Sequence, residues 1–416
     1  MADDSTPESS SRPGKNLAQG AIAAVRDGFV GTTHIVEDVH GAVLNSIRRV
    51  NPLHGPINAV TRTVYRDVRD IGRAAFALSG QAAGLVSVLL PTAGGPDARR
   101  GQVALVSALN GAFGDHFETS GNPLTLHMGL RKAGGQRVPV TTAGLRQALE
   151  TPSRRLVILV HGLGMNDRQW QRGAMPDFGE RLEQDLGYSS LRLRYNTGRH
   201  ISTNGRDLAR LLERLVDVYP AELENLTLIG HSMGGLVARS ACHYGREENH
   251  RWVAQLTELV CLGSPHLGAP LEKLGNAVTH SLTRTPFTAP LSRVGNIRSA
   301  GVKDLRFGYI LDDDWDDKDP DAPGHKPGRP SPLLDHVRYF FIAATVGKHP
   351  KDRLNHWIGD LLVPVKSASG IRHKPNRRSR IGHQHGRVFY DMNHFALVYH
   401  PEVYAAIETW LTYGKH

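Results

Sequence analysis

Gly230-His231-Ser232-Met233-Gly234 sets a serine between two glycines. An apolar run, Leu226 to Ile229, precedes it, and Leu236-Val-Ala-Arg-Ser-Ala-Cys-His follows with a helical pattern. Strand, sharp turn and helix form the context in which a G-x-S-x-G serine becomes a nucleophile. The turn imposes a strained backbone on Ser232, which neighbours without Cβ atoms permit. The hydroxyl is lifted above the sheet edge, and the Met233 N–H points to where an oxyanion would form.

A serine nucleophile needs a base, and the base needs an orienting acid. In such a sheet the chain order is Ser, acid, His. Asp391-Met-Asn-His394 follows the last expected strand, where a loop histidine reaches over the sheet edge. His394 is therefore the candidate base, with His383, His385 and His400 as rivals. Gly359-Asp360-Leu-Leu-Val-Pro follows the strand expected at Val337 to Ala343 and supplies Asp360 as the acid. Asp352 and Asp391 are its rivals. The second oxyanion donor should lie after an early strand. His161-Gly162-Leu163-Gly164 follows Leu156 to Val160, so the backbone N–H of Leu163 is the candidate and Gly164 the rival. Such donors are worth about 3–4 kcal/mol each in barrier height. His161 reads as a loop-holding residue rather than a base. His266, in Leu262-Gly-Ser-Pro-His-Leu-Gly-Ala-Pro270, is expected to line the cleft, as is Tyr195-Asn-Thr-Gly-Arg-His200.

Elements that alternate strand and helix must position these residues. Leu124 to Arg131 and Arg137 to Val140 predict a hairpin that starts the sheet antiparallel. Strands are predicted at Leu156–Val160, Leu191–Tyr195, Leu226–Ile229, Leu259–Leu262, Val337–Ala343 and Val388–Tyr390. Helices are predicted at Pro176–Leu186, Asn204–Val218 and Pro401–Leu411, with Leu208, Leu211, Leu212 and Leu215 on one side of the second. This pattern predicts an α/β fold: a mainly parallel sheet covered by helices on both faces, with the site at the carboxyl ends of the strands. The alternation lapses between about 265 and 331, where a cap segment is expected. Within it Asp312 to Asp321 is acidic and reads as a solvated loop. It lacks the Gly and closing Glu of a calcium-binding hand. A second insertion, Arg372 to Arg387, reads as a basic loop.

Residues 1–19 are polar, lack a signal-peptide pattern, and read as a disordered tail on a cytoplasmic protein. Residues 20–121 read as a helical region and 122–416 as the catalytic domain. Stripes of apolar residues mark helices over 20–50 and from Pro56. Arg62, Arg66, Arg69 and Arg73 face another side, either as a solvated face or in contact with phospholipid. Pro91 to Arg100 reads as a linker, and Gln102 to Phe113 as a helix. Ala74 to Leu90 falls short of the ~20 apolar residues of a membrane span, which leaves a packed helix pair or a monotopic contact. The 416 residues carry a formal net charge of +10, which favours anionic surfaces. The two cysteines, Cys242 and Cys261, are too few for a disulfide framework and read as core thiols.

From about Leu124 onward the chain resembles the α/β-hydrolase superfamily, and within it bacterial lipases and esterases related to the GPI inositol-deacylase group. The resemblance rests on His161-Gly-Leu-Gly, Gly230-His-Ser-Met-Gly-Gly, Leu262-Gly-Ser-Pro-His-Leu-Gly-Ala-Pro, Gly359-Asp-Leu-Leu-Val-Pro and Met392-Asn-His. It implies the α/β-hydrolase fold and hydrolysis of apolar acyl esters by Ser232, Asp360 and His394. It implies no metal and no organic cofactor. The expected partner is a small-molecule or lipid ester, with no nucleic acid expected. Leu361 stands where the acid motif of such proteins carries glycine. A thioesterase, amidase or acyltransferase would use the same site. A reading from a different class makes the N-terminal helices a lipid-surface or granule-binding module, with the protein peripheral to a membrane.

Overall fold

The computed structural model describes residues 96–171, 175–269, 299–316, 328, 331–350, 352, 360, 362–369 and 386–412. The expected tail, the helices expected before residue 96, the amphipathic stretch after residue 270 and most of the basic insertion lie outside the described residues, as do His383 and His385.

The described chain folds as α1 (Pro96–Thr119), β1 (Gly129–Arg131), β2 (Arg137–Val138), α2 (Thr142–Ala148), β3 (Arg155–Val160), α3 (Phe178–Leu186), β4 (Ser189–Arg194), α4 (Ile201–Val218) and β5 (Asn225–His231). There follow α5 (Met233–Glu247), α6 (Trp252–Gln255), β6 (Leu256–Leu262), α7 (Ala300–Phe307), α8 (Asp312–Trp315), β7 (Arg338–Ala344), α9 (Val365–Ala368), β8 (Gly386–Phe389) and α10 (Pro401–Thr412). The strands form one eight-stranded sheet in the order β2-β1-β4-β3-β5-β6-β7-β8. Strands β3 to β8 are parallel, and β1 and β2 add an antiparallel edge.

The apolar runs explain the sheet. Leu156 to Val160, Leu228, Ile229 and Leu259 to Leu262 are buried, as strands covered on both faces must be. On one face Val157, Leu159, Ile229, Val260, Phe340 and Ile342 pack with Phe178 and Leu182 of α3 and Val403, Tyr404 and Ile407 of α10. On the other lie α4 and α5, which pack along each other. The leucine stripe of α4 is buried as its spacing predicts. Burying one such side chain contributes roughly 1.5–3 kcal/mol. Asp177 caps α3 through a reciprocal pair with Glu180, and the Arg192 guanidinium pairs with the same carboxylate.

Four local expectations change. The first hairpin strand is three residues long, not eight, and pairs with β4. Helix α1 begins at Pro96, inside the expected linker, because proline suits a first helical position. Helix α2 was not expected; Thr141 caps it by accepting the Gly144 N–H at 3.1 Å. The start of the acidic run is not a solvated loop. Asp312–Trp315 is a helical turn, and the buried Asp314 carboxylate accepts the N–H groups of Ile310 (3.0 Å) and Leu311 (3.1 Å).

The chain divides into two compact units, and Ser107–Asp115 groups with the sheet-bearing unit rather than with the residues before it. No described helix is long and apolar enough to cross a membrane. Cys242 and Cys261 are buried free thiols, each pushed up to about 12 by desolvation.

Candidate active site

Ser232 sits between β5 and α5 with φ 54° and ψ −120°, a region that side chains rarely adopt. The turn is held on both sides. Ser232 N–H donates to Leu262 O at 2.8 Å, continuing the β5–β6 register past His231. A Cβ on Gly230 would lie 2.4 Å from Gly235 N, and one on Gly234 would lie 2.2 Å from Val160 O. The two glycines are therefore required by close backbone approach.

The second contact draws the end of β3 against the elbow. From there His161-Gly-Leu-Gly runs beside Ser232, with the Gly162 Cβ position 3.1 Å from Ser232 Cβ. The Gly164 N–H is already used, donating to Thr197 Oγ1 at 3.0 Å. Among the described residues no hydrogen bond engages the N–H of Leu163 or of Met233. Of the two N–H groups expected here, that of Gly164 is engaged by Thr197 and that of Leu163 is not.

Asp360 and His394 are brought together and buried. His394 Nδ1–H donates to Asp360 Oδ2 at 2.7 Å. The other carboxylate oxygen accepts the N–H groups of Leu362 (3.0 Å) and Val363 (2.8 Å). The His394 N–H returns to Asp360 O at 3.0 Å. With Nδ1 donating, Nε2 of a neutral His394 carries the lone pair a base needs. The imidazole rests on Gly263, whose Cβ position is 3.0 Å from Nδ1 and Cε1. Gly263 follows the Leu262 carbonyl that receives Ser232 N–H. Among the described residues no hydrogen bond links Ser232 Oγ to His394. The rivals lie elsewhere: Asp352 accepts the Lys348 N–H at 3.2 Å, Asp391 is exposed, and His400 Nδ1 accepts the Glu402 N–H at 3.3 Å.

His231 ties these parts together. Its Nε2–H donates to His394 O at 3.1 Å, and the two rings lie 4.6 Å apart. Its Nδ1 therefore accepts from Gln169 Nε2 at 3.3 Å. Gln169 and Thr197 carry no sequence signal that marks them for this role. His266 is buried rather than lining a cleft, with the Arg239 guanidinium 3.0 Å from Nδ1. Its loop is fastened to α9 through Ser367, whose hydroxyl donates to Gly268 O at 2.7 Å and accepts the Leu267 N–H at 3.1 Å.

Helix α1 reaches this machinery. A Cβ on Gly111 would lie 2.7 Å from Gly164 Cα. Asn196 Nδ2 donates to Gly114 O at 2.8 Å. Ser299 Oγ donates to Gly111 O at 2.7 Å, and the Ala300 N–H donates to Asp115 Oδ2 at 2.8 Å. The middle of α1 thus backs the loop that carries Leu163.

Burial holds His161, His231 and His266 neutral. Desolvation lowers all three, His161 to about 4, with the neighbouring His394 adding to the effect on His231 and Arg239 to that on His266. For His161 the folded value lies below the unfolded 6.5, so its contribution is complete above about pH 6.5 and is lost as pH falls toward about 4. The linkage amounts to roughly 3 kcal/mol. The expected outcome is three imidazole C2–H resonances that do not move as pH falls through 6.5, with a declining thermal midpoint over the same range. Titration of all histidines near 6.5 would contradict this burial.

Among the described residues no cluster of three or more His, Cys, Asp or Glu is arranged to hold a metal ion.

A comparison with curated proteins gives no match. Similar solved structures include the Bacillus licheniformis lipase BlEst2, at 16% identity over 63% of this chain and 95% of that one, with a TM-score of 0.40. A lipase-esterase related protein from Clostridium acetobutylicum follows at 15% identity, 62% and 94% coverage and a TM-score of 0.34. The Pyrococcus furiosus esterase Pf2001 follows at 16% identity, 62% and 82% coverage and a TM-score of 0.35. Residues 151–320, from before β3 to beyond α8 and including the elbow, match the PGAP1-like alpha/beta domain family. This match, the sheet order and the strand–turn–helix around Ser232 agree with an α/β-hydrolase-like fold.

Proposed function

We propose that the protein is a serine carboxylester hydrolase of the lipase/esterase type, acting on apolar acyl esters. Ser232 Oγ attacks the ester carbonyl as His394 Nε2 takes its proton. The N–H groups of Leu163 and Met233 stabilise the tetrahedral oxyanion. Asp360 fixes the Nδ1–H tautomer and stabilises the imidazolium. The tetrahedral species collapses, the alcohol leaves with the proton from His394, and an acyl group stays on Ser232. Water activated by His394 then releases the acid and restores the serine.

The buried Asp360–His394 pair carries this reading. It is packed on Gly263 beside a strained, half-buried serine. A buried carboxylate satisfied by two backbone N–H groups and one imidazole leaves the other ring nitrogen as the group able to exchange a proton. The Ser–His hydrogen bond forms when substrate tightens the site, as is common for catalytic contacts.

Mass spectrometry after a fluorophosphonate probe tests the reading, with a p-nitrophenyl ester series beside it. The expected result is an adduct on Ser232 and hydrolysis that depends on acyl length. Folded protein that takes no adduct and cleaves no ester would overturn it.

A further inference from the structure

A second cluster lies beside the Leu163 loop and plays no part in ester cleavage. Arg131 of β1 stands directly opposite Arg137 of β2. Like charges opposed across an antiparallel pair are destabilising unless something answers them. Arg194, at the end of β4, pairs with Asp167 on the loop after β3. The next loop residue, Arg168, lays its guanidinium on the hairpin turn, with Nε 2.6 Å from the Cβ position of Gly135.

Arg194 thus pairs with the buried Asp167, Arg131 and Arg137 stand close by, and Arg168 lies on the adjoining hairpin turn. Desolvation, with Arg194 and Arg137 beside it, lowers the Arg131 guanidinium to about 10, and Asp167 opposes the shift. Arg131 Nε and Arg194 Nη2 are buried with no hydrogen-bond partner. Buried donors without acceptors are costly, and converging guanidinium forks match the oxygen geometry of phosphate. Arg137 is exposed and Arg131 and Arg168 are half-buried, so the cluster opens to solvent.

We propose that Arg131, Arg137, Arg168 and Arg194 form a binding site for a phosphate group beside the Leu163 loop. The same chemistry serves free phosphate and the phosphate of a lipid headgroup. The site does not depend on the ester-hydrolase reading, and its test reads binding alone.

The test uses the full chain, with calorimetric titration of inorganic phosphate. In parallel, vesicles of phosphatidylcholine with and without phosphatidic acid are co-sedimented with the protein. The variants are Arg137→Gln, the double change Arg131→Gln with Arg137→Gln, and Arg154→Gln. The last alters an exposed arginine paired with Glu222, remote from the cluster in sequence. Binding at least about tenfold weaker in the double variant is expected, with Arg154→Gln unchanged. Loss of phosphate binding identifies the free anion as a ligand. A loss confined to phosphatidic acid vesicles identifies the headgroup. Should the double variant fail to fold, Arg137→Gln decides, with an expected weakening of about threefold. No binding of either probe, or binding that the arginine changes do not weaken, would overturn the site.

Discussion

Replacing Ser232 with alanine should lower kcat for ester hydrolysis by about 10⁵- to 10⁶-fold and leave the melting temperature unchanged. The loss follows from removal of the attacking oxygen; in serine hydrolases the triad acts as a unit, and losing the nucleophile costs about as much as losing all three members. The fold survives because the change is confined to one atom. Alanine keeps the Cβ, so the strain at φ 54° is the same. The N–H to Leu262 O contact belongs to the backbone and is retained. Residual turnover above the water rate is expected from the N–H groups of Leu163 and Met233 alone. Steady-state kinetics on a p-nitrophenyl ester, with a thermal melt of the same sample, checks both halves. A variant within tenfold of the parent rate would remove Ser232 from the mechanism.

Replacing Asp360 with asparagine should lower kcat by about 10⁴-fold with little change in KM. The carboxylate here does two things with different atoms. Oδ1 holds the loop by accepting the Leu362 and Val363 N–H groups, and Oδ2 accepts the His394 Nδ1–H. An asparagine that keeps its carbonyl toward the two N–H groups presents an amide donor to the imidazole. His394 must then accept at Nδ1 and carry its proton on Nε2, so the base is lost while the loop is kept. Kinetics across pH, with a melt to show the fold, checks this. A loss under tenfold would move the acid role to another carboxylate, with Asp391 and Asp352 next in line.

The parts of the site legible in the sequence are those built from short, contiguous signals. Leu226 to Ile229 and the glycines around Ser232 announce an elbow because strand, turn and helix each leave a local mark. The same holds for the end of β3, where an apolar run meets His161-Gly-Leu-Gly. The sequence alone does not separate Leu163 from Gly164. What sets them apart is the Thr197 hydroxyl that takes the Gly164 N–H, brought back from 33 residues away. Asp360 and His394 are 34 residues apart, so their union also needed the folded sheet edge. His266 looked like a cleft residue because its loop follows the right strand, yet packing on Arg239 and Phe341 turned the ring inward. The acidic run misled because composition does not show that one carboxylate, Asp314, folds back on Ile310 and Leu311.

The seat of α1 bears on how the protein is made. Gly111 and Asp115 leave the ribosome early, but their partners Ser299 and Ala300 come 188 and 185 residues later. Closing so long a loop carries an entropic cost that only the finished sheet can offset. During synthesis the helix must wait beside an incomplete protein. The loop bearing Leu163 gains its full backing only when Ser299 and Ala300 arrive. The emerging chain therefore carries its elbow well before it carries a supported Leu163 loop, and the site around Ser232 is completed late in translation, after most of the sheet has formed.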